Sequence, residues 1–281
     1  MTTRAVVTGA SRGIGRAIAE ALAARGAAVG LLARSERELG PIARELGPRA
    51  LALPADVGDR EQVRTAVARF VEHAGGLDLV VANAGIAHYG PFLAQDVEHV
   101  EAMTRVNWLG TVYTVDAALG HLVERAHGHV VIVSSGAGLR AFPWAAAYGA
   151  TKAAQRAFAE ALRHELSGSG VSVTTVFPGE IATALHDHEK DSLPDWYHGG
   201  TNAAGVNRLA AAVLRAVERD RRAVHHPPLV RLLGINGIAP RATDAILRRL
   251  RGGTAAPRRD STTNARPSGA GDPRRASRRA G

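Results

Sequence analysis

The sequence predicts an α/β fold, a doubly wound parallel sheet in three layers, and three observations lead there. Short apolar runs, several of them rich in β-branched residues, recur at residues 4–8, 28–33, 51–54, 77–82, 130–133 and 171–177. Stretches of helical period lie between several of them, as at residues 60–73. Several runs end in glycine, small or amide residues, the composition of the carboxyl edge where open parallel sheets bind ligands.

A chain of 281 residues, 46% hydrophobic and 22% charged, has ample material for a core. We expect one dinucleotide-binding domain over residues 1–252 and a disordered arginine-rich tail over 253–281. The last thirty residues, from Gly252, hold seven arginines, two aspartates and no aromatic, Leu, Ile or Val. Such a segment cannot bury enough apolar surface to offset its ordering entropy. The net charge of +9 is therefore divided, +5 in these thirty residues and +4 elsewhere, which argues against specific nucleic-acid binding. A solvated tail, or one weakly attracted to nucleic acid or anionic lipid, accounts for it. No run of about eighteen apolar residues is present, so no transmembrane segment is expected. Met1 leads directly into strand-like sequence without room for a signal peptide, and zero cysteines exclude disulfides and a cysteine nucleophile. A cytoplasmic location is the expectation.

The first strand run leads into Thr8-Gly9-Ala10-Ser11-Arg12-Gly13-Ile14-Gly15 and then an apolar-periodic segment. Strand, glycine turn and helix start form a phosphate cradle: glycines let backbone approach the anion, and free N–H groups of the first helical turn face it. This makes the expected fold Rossmann-type. The spacing is G-x-x-x-G-x-G, weak alone and stronger between a strand and a helix. Arg34 ends the second strand run, where an acidic residue would suit the ribose hydroxyl of NAD and an arginine suits a 2′-phosphate. With Arg12 in the turn, Arg34 favours NADP over NAD, unless both are ordinary surface arginines.

Ser135 follows the 130–133 strand, and Tyr148 and Lys152 stand four apart on the next helix, on one face. A tyrosine titrates near ~10, and a neighbouring ammonium favours the phenolate, lowering that value toward working pH. Of 35 basic residues 33 are arginine, so a lysine here is notable. An exposed helix with an incidental pair is the plain alternative. Asn107 lies in a long helix expected over 97–125, where asparagine is unfavourable; it either satisfies a buried carbonyl or distorts the helix at a functional site. The polar segment 184–207 reads as a substrate lid. His186, His188, Glu189 and His198 within it lack the spacing of a metal site, and none is expected. A helix at 205–219, a strand at 223–226 and an apolar extension over 227–251 close the domain. Its apolar residues at 229–238 would wall a substrate cleft or a subunit contact, or else cap the core.

In this order and spacing, TGASRGIG, Asp56-Val57, Asn83-Ala84-Gly85, Asn107, Ser135, Tyr-x-x-x-Lys and PGEIAT resemble the short-chain dehydrogenase/reductase family in its single-domain form, over residues 4 to about 224. The resemblance implies a seven-stranded parallel sheet. It implies Tyr148 as catalytic acid/base, Lys152 lowering its pKa and holding the nicotinamide ribose, Ser135 orienting the substrate carbonyl, and Asn107 supporting a water that links Lys152 to solvent. Gly9, Ser11, Arg12, Gly13, Ile14 and Gly15 would hold the pyrophosphate, Asp56 and Val57 the adenine, and Asn83, Ala84 and Gly85 the ribose. Pro178, Gly179, Ile181 and Thr183 would border the nicotinamide. The implied activity is hydride transfer between NADP(H) and an apolar carbonyl or secondary alcohol by a homodimer or homotetramer; the alternative is a non-catalytic NADP-binding regulator.

Overall fold

The computed structural model describes residues 3–179 and 203–251. Seven strands, β1 (Arg4–Thr8), β2 (Ala28–Ala33), β3 (Ala50–Pro54), β4 (Leu79–Ala82), β5 (Gly128–Val133), β6 (Val171–Pro178) and β7 (Ala223–His226), form one sheet. Their order is β3-β2-β1-β4-β5-β6-β7, and every neighbouring pair is parallel. Continuous apolar strands suit a sheet covered on both faces, because alternate side chains enter opposite cores. Ala5 and Val7 of β1 join one core with Val131 and Val133 of β5, while Val6 joins the other with Val130 and Ile132. The first core is closed by α1 (Gly13–Ala23), α2 (Glu36–Leu46) and α7 (Ala203–Glu218), and the second by α3 (Arg60–Ala74), α5 (Gly110–Glu124) and α6 (Ala146–Glu165). Strand order reverses between β1 and β4, which opens a crevice at their carboxyl ends.

Four sequence expectations need correction or completion. Helix α2 was not foreseen: Gly40-Pro41 at its centre reads as a breaker, yet Ser35 caps it by accepting from the Glu38 N–H, and Leu39 and Ile42 bury its inner face. Packing outweighs propensity there. The helix expected over 97–125 is two helices, α4 (Val97–Met103) and α5, joined by a π-helical segment, Thr104–Leu109, that contains Asn107. The expected lid reaches too far, since residues 203–207 belong to α7; its residues 184–202 lie outside the described residues, as does the tail over 253–281. Finally, residues 229–238 are only partly covered by the body. They lie in a 3-10 segment, Pro228–Gly237, and its continuation into α8 (Pro240–Arg251); Val230 is buried and Leu233 half-buried, while Leu229, Leu232, Ile235 and Ile238 are exposed.

One buried imidazole makes the sheet acid-sensitive. His129 on β5 lies 2.7 Å from the Thr174 hydroxyl, which donates its only proton to the Arg221 carbonyl at 2.6 Å. The ring nitrogen Nε2 must therefore be the donor, in a neutral imidazole. Burial pushes the His129 pKa down from 6.5 to about 4. Between those values the unfolded chain binds the proton and the folded chain does not, so this contribution to stability is complete above pH 6.5 and is lost as pH falls toward about 4. Thermal melts across that window should show a falling midpoint, worth on the order of 3 kcal/mol. His129→Gln, which keeps a donor but no titration, should flatten the decline; an unchanged slope in the variant would clear His129 of responsibility.

Candidate active site

The glycine turn between β1 and α1 rests on Asn83. Thr8 Oγ1 accepts from the Asn83 and Ala84 N–H groups at 2.9 and 3.0 Å, and Asn83 Nδ2 donates to the Thr8 carbonyl at 2.9 Å. Gly15 packs so closely that a Cβ would sit 2.4 Å from the Gly9 carbonyl oxygen and 2.5 Å from Asn83 Nδ2. Gly9 and Gly13 have φ of 66° and 58°, values that favour glycine. Among the described residues no side chain caps α1, and no acidic residue lies in its first turn. Free N–H groups at a helix start, without a competing carboxylate, fit an anion such as a dinucleotide pyrophosphate.

The other expected cofactor residues fall along the same carboxyl edge. Arg34 directly follows β2, is exposed, and among the described residues neither it nor Arg12 pairs with a carboxylate. Asp56 follows β3 and is held in a turn, its Oδ1 accepting from the Gly58 N–H at 2.8 Å and its N–H donating to Gln62 Oε1 at 2.9 Å. Val57 is buried, and a Cβ on Gly110 of α5 would meet its side chain at 2.9 Å. Pro178 ends β6, and the Gly179 N–H donates to the His226 carbonyl at 2.7 Å. Ile181, Thr183, and the four residues His186, His188, Glu189 and His198 lie outside the described residues. Among the described residues no group of three or more His, Asp or Glu could hold a metal ion.

Ser135, Tyr148, Lys152 and Asn107 come together beyond β5 and β4. Ser134 Oγ donates to the Lys152 carbonyl at 2.8 Å and Lys152 Nζ donates to the Val133 carbonyl at 3.1 Å, so α6 is fastened to the end of β5 at two points. Ser135 accepts from the Ala137 N–H at 3.1 Å and hydrogen-bonds the Tyr148 phenol. Lys152 Nζ lies 5.8 Å from the centroid of the Tyr148 ring, and the Tyr89 ring lies 5.6 Å from it between centroids, tilted by 56°. Asn107 clamps Ile86 from both sides: Oδ1 accepts from its N–H at 2.8 Å and Nδ2 donates to its carbonyl at 2.9 Å, with a second Nδ2 bond to Thr151 Oγ1 at 3.0 Å. Asn107 thus satisfies the Ile86 backbone from within a distorted turn. Gly85 lies between these groups. A Cβ there would sit 3.2 Å from Asn107 Oδ1 and 3.5 Å from Lys152 Nζ, so the missing side chain leaves room for both.

Electrostatics in the chain alone run against the expectation for the Tyr148 and Lys152 pair. Burial pushes the Tyr148 phenol up to about 12, only partly opposed by its bond with Ser135. Burial also pushes Lys152 down to about 7, so the amine that was expected to favour the phenolate is only partly charged near neutrality. What results is a protonated Tyr148 phenol bonded to the Ser135 hydroxyl, with the desolvated Lys152 amine one turn further along α6: a proton donor suited to a carbonyl oxygen.

The sequence reading missed the polar residues behind this site. Gln155 is fully buried, its Nε2 donating to the Asn107 carbonyl at 2.8 Å and to Thr111 Oγ1 at 2.7 Å; Thr111 Oγ1 donates to the same carbonyl at 2.8 Å. Thr151 Oγ1 donates to the Tyr148 carbonyl at 2.8 Å. A signal was present: Tyr148, Thr151, Lys152 and Gln155 follow the i, i+3, i+4, i+7 spacing of a buried helix stripe with polar residues in place of apolar ones.

The family model for short chain dehydrogenases matches residues 3–193. An uncharacterized oxidoreductase of Staphylococcus saprophyticus is 37% identical over 219 residues, 76% of this chain and 91% of that protein. One from Staphylococcus epidermidis is 37% identical over 181 residues, 64% of this chain and 79% of that one. An alcohol dehydrogenase from Thermococcus sibiricus, solved with 5-hydroxy-NADP, has a TM-score of 0.71 at 30% identity and covers 80% of this chain and 96% of its own. A short chain dehydrogenase/reductase from Burkholderia phymatum, in complex with NAD, shares the fold with a TM-score of 0.78 at 23% identity, covering 86% of this chain and 95% of its own. The glycine turn, the order of the seven strands and these matches agree, and the chain belongs to the short chain dehydrogenase family of oxidoreductases, enzymes acting on CH–OH and C=O groups.

Proposed function

We propose that this chain is an NADP-dependent carbonyl reductase or alcohol dehydrogenase with Tyr148 as acid/base. The observation that carries the reading is the convergence of Tyr148, Ser135, Lys152 and Asn107 beside the uncapped glycine turn. A bound nicotinamide cofactor supplies or accepts the hydride. The residues supply placement and the proton. Ser135 Oγ and Tyr148 Oη hold the carbonyl oxygen, and Tyr148 Oη gives it a proton as the carbon is reduced, or takes one in the reverse direction. The Lys152 amine, when protonated, stabilises the phenolate left behind and holds a ribose hydroxyl. Asn107 keeps the end of β4 against α6, so that Gly85 and Lys152 stay in register. Arg34, exposed and without a carboxylate partner among the described residues, receives the 2′-phosphate that distinguishes NADP from NAD.

Tyr148→Phe should lower turnover of a ketone with NADPH by about 10²- to 10⁴-fold while NADPH still binds, read from fluorescence titration beside steady-state rates. A folded Phe variant with wild-type turnover refutes the assignment of the acid.

Arg34→Ala should weaken NADPH about ten- to a hundredfold and leave NADH nearly unaffected, since the lost contact is charge-assisted. Equal affinity of the wild type for both reduced cofactors contradicts the NADP reading.

Lys152→Met should abolish turnover yet raise the melting temperature at neutral pH. The folded pKa of about 7 lies below the ordinary 10.5, so stability conferred by the neutral amine is lost as pH falls through that range, and a residue that cannot take up the proton avoids the loss. The gain is on the order of a few kcal/mol before lost packing is counted. A lower midpoint in the variant, measured by calorimetry at pH about 7, refutes the claim that a buried amine is a net cost there.

A further inference from the structure

The formal charge of this chain is unevenly placed. Residues 1–227 hold 23 basic and 23 acidic side chains, so the whole net +9 lies in residues 228–281, where twelve arginines stand against three aspartates. Of those aspartates, Asp244 on α8 is already paired with Arg140 in the loop that follows Ser135. The same stretch holds four of the eight exposed large hydrophobic residues among those described: Leu229 at 72%, Leu232 at 47%, Ile235 at 47% and Ile238 at 87% exposure. Arg231 and Arg241, both exposed, are interleaved with them. Beneath this face the segment is anchored. A Cβ on Gly136 would meet Leu233 at 3.2 Å and Val230 at 3.4 Å, and one on Gly179 would meet Val230 at 3.0 Å.

We propose that the face formed by residues 229–241 docks on an anionic lipid bilayer, its leucines and isoleucines entering the interface while the arginines meet the headgroups. Aliphatic side chains interleaved with arginine, on a body otherwise neutral, are the composition of a surface that lies in a membrane interface. Charge complementarity selects this occupant. A second copy seated symmetrically on the same face would set arginines against arginines. A nucleic acid would take the arginines but leave the aliphatics without a partner, since single strands are held by aromatic stacking and no aromatic lies in the segment. The other exposed apolar run, Phe92, Leu93 and Val97, sits among Asp96, Glu98 and Glu101 and has no such complementarity. Because Val230 and Leu233 pack on the residue after Ser135, docking turns the candidate site toward the lipid. Resting on the function proposed above, this makes the substrate class an apolar carbonyl compound or alcohol dissolved in the bilayer.

Vesicle sedimentation with the full chain tests the surface without any turnover measurement, so its failure and a failure of the enzymatic reading are separate results. The chain should pellet with phosphatidylcholine–phosphatidylglycerol vesicles and stay in solution with phosphatidylcholine alone. Leu229→Ser/Leu232→Ser/Ile238→Ser and Arg231→Glu/Arg241→Glu should each weaken that binding about tenfold or more. All five positions are exposed, so unchanged melting is expected. Phe92→Ser/Leu93→Ser should bind as the wild type does. The proposal is overturned by equal binding to neutral vesicles, by undiminished binding in either C-terminal variant, or by an equal loss in the Phe92 control. It is equally overturned if analytical ultracentrifugation shows a dimer that the serine variant dissociates while vesicles are ignored.

Discussion

The contact on which most of the architecture depends is the one between Thr8 and Asn83, where β1 and β4 end side by side. The threonine hydroxyl accepts two N–H groups from the β4 turn, and the asparagine amide returns a bond to the β1 carbonyl. Parallel strands leave loose ends at their carboxyl edge, and here the strand order reverses, so no third strand covers the gap. The pair closes the base of the crevice with polar side chains in place of a ladder. That closeness is what excludes a side chain at Gly15. Backbone N–H groups at the start of α1 are left for whatever binds in the crevice, because no acidic or capping side chain among the described residues is used on them.

A second theme is the polar interior stripe of α6. Tyr148, Thr151, Lys152 and Gln155 occupy positions that would ordinarily hold leucine or valine, and the helix is nevertheless buried there. Hydrogen bonds to the Val133, Asn107 and Tyr148 carbonyls recover part of the desolvation cost, while the Gln155 Oε1 finds no partner among the described residues. The depressed Lys152 and elevated Tyr148 pKa values are two signs of the same low-polarity surroundings. Stability surrendered at such a site is made up by the two apolar cores, each of which draws on several strands and three helices.

Much of this was legible in the sequence, for physical reasons that differ by element. Strands buried on both faces announce themselves as unbroken apolar runs, and so β1, β2, β5 and β6 fall close to where they were expected. Helix spacing put Tyr148 and Lys152 on one face and a strand end placed Ser135, whereas Asn107 was joined to them only by the family resemblance. Features resting on tertiary override were hidden. Helix α2 carries Gly40-Pro41, and the Ser35 cap with the burial of Leu39 and Ile42 keeps it helical. The partly neutral state of Lys152 depends on how deeply α6 sinks against β5, which the spacing of Tyr148 and Lys152 does not report. Exposure of Leu229 and Ile238 is likewise a matter of which surface meets which, whereas composition only says that they are apolar.

The π-helical turn at Thr104–Leu109 absorbs in a wider loop one residue more than an α-helix of the same rise requires, so the pattern along the sequence, not the helix that follows, shifts by one residue, about 100° on an ideal helix. Helices α4 and α5 are therefore out of phase, and a single periodic pattern cannot describe both. Deleting one residue within the turn would let α4 run into α5 as ordinary helix with its backbone bonds intact, while swinging the Asn107 amide away from Ile86 and its carbonyl away from Gln155. Foldability and site geometry are encoded in different residues of the same turn, which makes a one-codon loss here a route by which such a chain could keep its shape and abandon its chemistry.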